Sequence, residues 1–352
     1  MSQKNIDPDG LLILPRLRIQ NANAISSPLT HGFPSMTAFL GFMWALGRKL
    51  AAAGIPLKPE KIGVICHRHQ EQVADGYVKT FHLTRNPLGK DGSTAAIVEE
   101  GRIHLEVTLV LQVSAIMQPD EGHVLFQSDQ APLGRMAWDI RDLVGLMRIA
   151  GGAVLPPKPA PGIRVAPELL AWPDDADGRS RTFRRLRRGW LPGFALVSRD
   201  DLLKQRLRQL QQQDPQATTL DAWLDLSRFN YRSRKESKGG KDQIIWAHDR
   251  PAGAGWIVPI PVGYGALSDL HEGGQVAHAR DSNTPFRFVE SVYSMGQWIS
   301  PHRLQNVREL LWWGECQEGG VYRCCNAYVP PLPMDGESQE LLSDPPMEAE
   351  AV

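Results

Sequence analysis

The residues from Leu83 to Arg102 carry the glycines, the lysine and the hydroxyl groups from which proteins build phosphate-binding loops. A nucleotide-binding P-loop requires Gly, any four residues, and then Gly-Lys-Ser/Thr, because the hydroxyl after the lysine ligates Mg²⁺. Here Asp91 follows Lys90, and Thr84 stands five residues before Gly89, where the motif needs a glycine. The segment is therefore not predicted to bind a nucleoside triphosphate.

The same residues are typical of a basic β-hairpin. Two turn-forming pairs, Asn86-Pro87 and Asp91-Gly92, stand between alternating apolar residues, and Asp-Gly is a strong signal for a tight turn. Arg85, Lys90 and Arg102 accompany these turns. A plain hairpin and a nucleic-acid-binding arm are both open, since a basic hairpin suits a phosphate backbone.

A second basic feature is the arginine run RSRTFRRLRRGW, residues 179–190. On a helix, four of its arginines lie along one side: Arg181, Arg184, Arg185 and Arg188. Phe183 and Leu186 then face elsewhere and are free to pack. The run contains no acidic residue, so the arginines repel one another; an external anion and a solvated helix face both remain open.

The histidines offer weaker candidates for chemistry. His67 and His69 lie two apart on a predicted strand, where both can face one metal ion. Without a nearby cysteine or carboxylate cluster, a solvated strand face is the favoured interpretation. His31 lies in a loop rich in Ser and Thr, where a packing role is favoured over general-base catalysis. We therefore expect no catalytic set, no metal and no cofactor.

Composition is that of a folded protein with segregated charge. The chain has 352 residues, 42% of them hydrophobic, which fits one or two domains. Its 39 basic and 39 acidic residues cancel. Residues 179–208 nevertheless hold ten basic and two acidic residues, and residues 335–352 hold six acidic residues and no basic one. The acidic tail has too few apolar residues to fold, so we predict disorder there.

Three absences bear on location. The first ten residues, MSQKNIDPDG, lack the basic-then-apolar order of a secretion signal. The longest apolar stretch, AFLGFMWAL, is about half the length that spans a bilayer. The four cysteines show no CxxC spacing, so neither a zinc site nor a disulfide framework is supported. We expect a cytoplasmic protein without membrane contact.

Hydrophobic periodicity predicts the elements that position these residues. Leu11 to Ile19 reads as a strand that Pro15 must leave unpaired or bulged. A polar loop follows, and then a helix with one apolar face, formed by Phe39, Phe42, Met43, Leu46 and Leu50. Strands are predicted at 61–70 and 104–113. A second amphipathic helix, with Met136, Ile140, Leu143, Val144 and Met147, and a strand within 162–172 come after them. This order of strand, helix, strand, strand, helix, strand predicts an α+β protein of the ferredoxin-like, RRM-like plan.

Beyond Pro173 the pattern changes. Ser198 and Asp201 predict the start of a helix carrying Leu203, Leu207 and Leu210. Ser300 and Pro301 predict another helix, with Trp312-Trp313 at its end, where packing in the core is favoured over exposure to a partner, and residues 233–243 read as a mobile loop. We therefore predict an RRM-like body at 1–172 with an arm at about 73–102, a helical and mixed part at 173–330, and the acidic tail at 331–352.

Four blocks of sequence resemble a known family. They are LLILPRLRIQNANAISSPLTHGFPS, LTRNPLGKDGSTAAIVEEGRIHLEV, LPGFALVSRDDLL and NTPFRFVESVYSMGQWISPHR. They are similar to the second subunits of the Csy complex, the type I-F CRISPR surveillance particle, in the Cas-five branch of the RAMP superfamily. The likeness runs from about Leu11 to Tyr328.

The resemblance implies an RRM-like RAMP body with a protruding hairpin thumb. It also implies a non-catalytic role: the subunit clamps the 5′ handle of the CRISPR RNA, pairs with the large subunit and abuts the first backbone subunit, while a separate endonuclease processes the RNA. By position, the arm corresponds to the thumb, and the Gln20–His31 loop meets the handle. Contact with target DNA is left open.

The residue types agree with this role, because single-stranded RNA is read through splayed base edges and phosphates. The expected base-reading residues are Gln20, Asn21, Asn23, Ser26, Ser27 and His31, although the family leads us to expect an aromatic residue such as Trp at the last position. The expected phosphate-contacting residues are Arg85, Asn86, Lys90, Arg102, Arg181, Arg184, Arg185 and Arg188.

Two rival functions remain open at this point. One is a RAMP endoribonuclease that cuts the CRISPR repeat RNA, with His31 or His82 as the candidate base. The other is a protein adaptor whose arginines meet an acidic partner.

Overall fold

A computed structural model describes residues 8–85, 88–116, 125, 131–228, 231–238, 241–248, 250, 255–279 and 281–331. Two sequence-based expectations fall outside these residues: the role of Asn86 and the behaviour of the acidic tail beyond residue 331. In the described residues the molecule is an α+β protein, as predicted.

The bounds of the elements in the described chain are as follows. The strands are β1 (Gly10–Asn23), β2 (Ile25–Ser27), β3 (Thr30–His31), β4 (Leu57–Glu71), β5 (Val73–Ala74), β6 (Thr80–Phe81), β7 (Leu83–Arg85), β8 (Ile97–Glu99), β9 (Arg102–Ala115), β10 (Arg148–Ile149), β11 (Gly152–Leu155), β12 (Glu168–Ala171), β13 (Phe194–Ser198), β14 (Tyr231–Lys238), β15 (Lys241–His248), β16 (Trp256–Ala266), β17 (Val289–Ile299), β18 (Trp312–Gln317) and β19 (Val321–Asn326). The helices are α1 (Met36–Ala52), α2 (Ala131–Gly145), α3 (Ala176–Gly189), α4 (Asp200–Gln211) and α5 (Thr219–Ser227).

One antiparallel sheet organises the described chain. Its strands run in the order β10-β11-β1-β9-β4-β13-β17-β16-β19-β18, and β12 also pairs with β1. Five strands that follow residue 173, namely β13, β16, β17, β18 and β19, therefore extend the sheet that the earlier strands begin, whereas β14 and β15 form a separate hairpin. Among the described residues, no helix is long and apolar enough to cross a membrane.

The central strand β1 shows the irregularity predicted at Pro15. Its pairing with β9 shifts register between Leu14 and Leu17, and Arg16 takes a positive φ of 54°. A strand partner cannot bond to the nitrogen of proline, so the bulge removes Pro15 from the ladder. The shift turns Arg16 inward, where Nη1 lies 3.0 Å from Glu106 Oε1.

The two largest hydrophobic clusters of the described chain lie on opposite faces of the sheet, and a smaller one joins α4 and α5 to β16 and β17. Along β1, Leu12 and Leu14 lie in a core with α1 and α2, whereas Leu11 and Ile13 lie in a core with Phe183 and Leu186 of α3. Neighbouring side chains of a strand point to opposite faces. We call these the α1-side core and the α3-side core. Their separation means that residues on α1 and on α3 lie on opposite faces of the sheet.

Three sequence-based expectations are corrected. The helix expected from Ser300 is a pair of short 3₁₀ turns, Pro301–Arg303 and Val307–Glu309. The loop expected at residues 233–243 is a hairpin, in which β14 pairs with β15. The polar loop after residue 19 is also structured, because β1 continues to Asn23 and β2 pairs with β3.

The tryptophan pair is buried, which is the outcome favoured from the sequence. Trp312 and Trp313 nevertheless lie at the start of β18 rather than at the end of a helix. Trp312 lies in the α1-side core, and its indole N–H donates to the carbonyl of Leu196 at 2.9 Å. The pair is therefore part of the core and offers no surface to a partner.

Replacing Trp312 with Ala should lower the free energy of unfolding by about 3–5 kcal/mol, because a fully buried indole leaves a cavity. Trp312→Phe should cost less while still leaving the Leu196 carbonyl without its donor. Trp44, which is 63% exposed on α1, provides the control, and Trp44→Ala should change stability by less than about 0.5 kcal/mol. Urea unfolding would measure all three, and equal losses for Trp312→Ala and Trp44→Ala would contradict this packing.

Candidate nucleic-acid interface

A cleft of about 440 Å³ opens where the large sheet divides. β13 pairs with β4 only at Phe194–Cys66 and Ala195–Ile65, but β4 continues to Glu71. β13 begins at Phe194, so the last residues of β4 continue without a β13 partner, and the cleft lies beside this end of β4. Its lining comes from the β2–β3 hairpin, β4, β13, β16 and β17.

Aromatic rings form one wall of the cleft. Trp256 is 44% exposed and lies 6.1 Å from the ring of Trp298 and 6.0 Å from that of Phe194. Phe33 meets Trp298 edge to face at 4.8 Å. Exposed rings held by packing are platforms on which unpaired bases stack.

Sequence reasoning missed this wall. Trp256 and Trp298 lie in strands with no polar motif around them, so their side chains looked like ordinary core residues. A single signal was present, since Trp256 shares β16 with Pro259 and Pro261, where the pairing of β16 with β17 shifts register.

The β2–β3 hairpin forms the opposite lip, and its hydroxyls hold it together. The Oγ atoms of Ser26 and Ser27 lie 2.8 Å and 2.6 Å from Thr30 Oγ1. The Leu29 amide donates to Ser27 Oγ at 3.2 Å. The hydroxyl groups of these two serines, which were predicted to read bases, are therefore already used to stabilise the hairpin. Ser26 lines the cleft directly, while Ser27 is buried beneath it.

The three amides predicted to read bases are dispersed. Asn23 closes a local turn, with Oδ1 accepting from the Ile25 amide at 3.1 Å and Nδ2 donating to the Ile25 carbonyl at 2.8 Å. It lines a second, more open recess with Ser26, Arg148 and Tyr264. Gln20 and Asn21 are exposed at the end of β1, and neither lines the cleft.

His31 joins the lip to the arm. Its ring lies 5.0 Å from that of Phe81 in β6, and a Cβ atom at Gly101 would lie 3.2 Å from its Cδ2. Because Gly101 precedes β9, the absence of a side chain there lets the base of the arm approach the lip. His31 also lines the cleft, so its ring is available to a ligand at the point where arm and body meet.

The arm is built from two small ladders, β5 with β6 and β7 with β8. Its base is closed by the Gln72 amide, which donates to the Arg102 carbonyl at 2.8 Å. The predicted Asp-Gly turn is present, because Gly92 has φ of +78° and Asp91 Oδ1 accepts from the amide and hydroxyl of Ser93 at 3.1 Å and 2.7 Å. These bonds lower the pKa of Asp91.

The predicted phosphate-contacting residues of the arm differ in setting. Lys90 is exposed in the turn, and Arg85 belongs to β7 opposite Ile97. Arg102 already has an anion, since its Nε donates to Glu100 Oε2 at 3.0 Å. A phosphate contact by Arg102 would have to share its guanidinium with this carboxylate.

The arginine run forms α3, and its four predicted side chains do lie on one side, around a recess of about 260 Å³. One expectation was wrong: the run has an acidic partner, because Arg185 Nη2 lies 2.7 Å from Glu168 Oε1 in β12. Phe183 and Leu186 of the same helix pack in the α3-side core, whereas Cys66, Leu196 and Trp298 of the cleft belong to the α1-side core. The arginine recess and the cleft are therefore on opposite faces of the sheet.

His67 stands at the inner end of the cleft with both ring nitrogens bonded. Nδ1 lies 2.6 Å from the Pro192 carbonyl and must donate to it, so the neutral ring accepts at Nε2 from the Thr108 hydroxyl at 2.8 Å. Thr108 Oγ1 in turn accepts from the Arg16 amide at 3.2 Å. Burial lowers the pKa of His67 to about 4, and the Pro192 bond only partly opposes this.

This bonding leaves no lone pair of His67 for a metal. Among the described residues there is no group of three His, Cys, Asp or Glu side chains that could hold a metal ion. His69, next but one on β4, instead approaches the ring of Trp256 at 6.3 Å.

Comparison with known proteins adds a family. A family model described as "CRISPR-associated protein (Cas_Csy2)" matches residues 12–324. The chain is also similar to the "CRISPR-associated protein Csy2" of Pseudomonas aeruginosa (strain UCBPP-PA14), with 47% identity over 329 residues, covering 90% of this chain and 95% of the relative. The matched range contains the whole cleft, the arm and α3.

Stability should fall in acid because of His67. Its folded pKa of about 4 is below the unfolded value of about 6.5, so protons bind the unfolded chain first. The contribution of the neutral ring is complete above about pH 6.5 and is lost as the pH falls towards 4, by at most on the order of 3 kcal/mol. Urea unfolding across this range should show the loss in the wild type and much less of it in His67→Gln, whose amide preserves both bonds.

His69→Gln is the matched control, since His69 lies on the same strand and is exposed. It should keep the wild-type pH dependence. If His67→Gln and the wild type lose stability in parallel, the His67 ring is not buried as described.

Proposed function

The chain belongs to the Csy2 family of CRISPR-associated proteins, the second subunits of the type I-F Csy complex, and we propose that it binds the 5′ handle of the CRISPR RNA in the cleft between β4 and β16. Membership of the family gives the chain a role in a CRISPR effector complex of antiviral defence. RNA binding, and the cleft as its place, are our inference.

The observation that carries the proposal is the aromatic wall facing a polar lip. Single-stranded RNA is recognised by stacking unpaired bases on rings and by hydrogen bonds to their edges. Trp256 supplies an exposed ring, and His31 and His69 supply further planar groups on the other sides. A cleft of about 440 Å³ has room for a base with part of its sugar.

The topology supports a RAMP body of the ferredoxin-like type. The strands β12, β1, β9 and β4 are neighbours in that order and all antiparallel, with α1 between β1 and β4 in the chain and α2 between β9 and β12. This is the arrangement of the split βαβ plan. We propose that the arm at residues 73–102 is the thumb of this body, which agrees with its exit from the ends of β4 and β9.

A non-catalytic role is part of the proposal. Burial raises the pKa of the Cys66 and Cys324 thiols to about 12, so both stay protonated and are poor nucleophiles at neutral pH. Burial lowers the pKa of His67 to about 4, so its ring is neutral at neutral pH, and both ring nitrogens already have hydrogen-bond partners. We further propose the large subunit and the first backbone subunit as protein partners, on the family resemblance.

The alternative, an endoribonuclease, draws on His31 at the lip and on His82, the residue after Phe81 that contacts it. Incubation of the protein with CRISPR repeat RNA decides between the two functions. Intact RNA supports the scaffold role. Cleavage at one position that is abolished by His31→Ala or His82→Ala would establish the nuclease instead.

Trp256→Ala should weaken binding of the handle RNA by about 5- to 150-fold, since stacking of one base is worth about 1–3 kcal/mol. Trp256→Phe should retain part of the affinity. Trp138, which is 46% exposed on α2 against 44% for Trp256, is the matched control, and Trp138→Ala should bind as the wild type does. Fluorescence anisotropy with labelled handle RNA would measure this, and unchanged binding by Trp256→Ala would refute the cleft.

The arm should contribute charge rather than stacking. Replacing Arg85 and Lys90 with Ala should lower the slope of log affinity against log salt by about 0.7 per lost phosphate contact, about 1.4 in all. Gly92→Val should also weaken binding without removing charge, by straining a turn whose φ is +78°. Arg48→Ala with Lys49→Ala on α1 removes the same charge from exposed positions and is the control.

If the arm variant and the α1 variant change the salt slope equally, the effect is that of net charge, and the arm does not contact the RNA.

A further inference from the structure

The recess on α3 has a composition unlike that of the cleft. It measures about 260 Å³ and is lined only by Arg181, Arg184, Arg185 and Arg188. These positions stand at i, i+3, i+4 and i+7, so they form one row about 10 Å long at 1.5 Å of rise per residue. All four side chains are exposed.

The surrounding contacts hold the helix in place and leave three of the four arginines of this row without a carboxylate partner in the described chain. Arg187, on the other side of α3, donates to the carbonyls of His302 and Leu304 at 3.1 Å and 3.0 Å. Within the row, Arg185 is paired with Glu168, which Arg164 also contacts at 3.1 Å. In the described chain, no carboxylate lies within 4.0 Å of the other three guanidinium groups. Since like charges at this spacing repel, an external anion would stabilise the row.

The recess lacks any ring. A guanidinium binds phosphate through two parallel hydrogen bonds, whereas recognition of a single strand also uses rings on which its bases stack. The cleft has such rings and the recess has none. The recess is therefore suited to phosphates whose bases are hidden, as they are in a duplex.

Position separates the two sites. α3 packs on the α3-side core and the cleft opens on the α1 side, so the sheet lies between them. We propose that the arginine recess of α3 is a second nucleic-acid site, which binds the phosphate backbone of a duplex independently of the cleft. A duplex carries one charge per about 1.7 Å of axis, so a 10 Å row spans several phosphates.

The test uses the full chain and a short fluorescein-labelled DNA duplex of arbitrary sequence, titrated between about 50 and about 200 mM salt. Arg184→Gln with Arg188→Gln should lower the salt slope by about 1.8, or 0.9 per contact, and weaken duplex binding about tenfold or more at 0.1 M salt. Lys204→Gln with Arg208→Gln on α4 is the control, because it is also an exposed i, i+4 pair of the same charge. The control should keep the wild-type slope.

Two further arms identify the ligand. The Arg184→Gln/Arg188→Gln variant should lose affinity for a mixed-sequence RNA duplex as much as for the DNA duplex, since only the phosphate backbone is bound. Saturating handle RNA should leave duplex binding unchanged, and Arg184→Gln/Arg188→Gln should leave handle binding unchanged. These two measurements separately test duplex binding at the recess and RNA binding at the cleft, so either proposal can fail without the other.

Three results would overturn the proposal. Equal losses in the α3 and α4 variants would reduce the effect to net charge. Full competition between handle RNA and duplex would make the two sites one. If the Arg184→Gln/Arg188→Gln variant lost binding of polyglutamate, used as a model acidic protein, but kept duplex binding, the recess would be a site for an acidic protein.

Discussion

The long antiparallel pairing of β4 with β9 is the constraint from which the arm and the cleft both follow. The two strands are matched from Leu57–Ala115 at one end to Glu71–Ile103 at the other, well beyond the point where β13 leaves β4. Their far ends therefore leave the body together and carry the arm. Because β4 continues beyond the start of β13, the cleft lies on its free side. The cleft and the arm are two consequences of one unequal strand length.

A small polar network links β1, β9 and β4 to the segment that precedes β13. The Arg16 amide, Thr108, His67 and the Pro192 carbonyl form a continuous series of hydrogen bonds across the inner end of the cleft. Arg16 also pairs with Glu106, so each buried polar group meets a partner. The network exists because the bulge at Pro15 turns Arg16 inward. A single proline in β1 thus influences the segment from which β13 begins, on the far side of β9 and β4.

The polar residues at and beside the lip form hydrogen bonds within the protein before any ligand is present. Hydrogen bonds within the β2–β3 hairpin and the turn before it already use the side chains of Asn23, Ser26 and Ser27. A ligand would therefore bond to the donors and acceptors that these side chains have left, together with backbone groups. The aromatic wall opposite needs no such sharing, because a ring packed on one face still presents the other. On the other side of the sheet, α3 presents charge without rings. The protein thereby keeps exposed aromatic rings and a dense row of cations apart.

The sequence alone determined those features that depend on the local periodicity of apolar and charged residues. The apolar spacing of α1 and α2, the alternation of β9, the Asp-Gly turn and the one-sided arginines of α3 all follow from residues close in the chain. The family resemblance also rests on contiguous blocks. The tertiary structure alone decided what depends on distant residues: the burial of Trp312 against Leu196, the pairing of Arg185 with Glu168, and the meeting of Trp256 with His69 and Trp298. Side-chain exposure is set by which strands become neighbours, and residues far apart in the chain leave no periodic signal of their meeting.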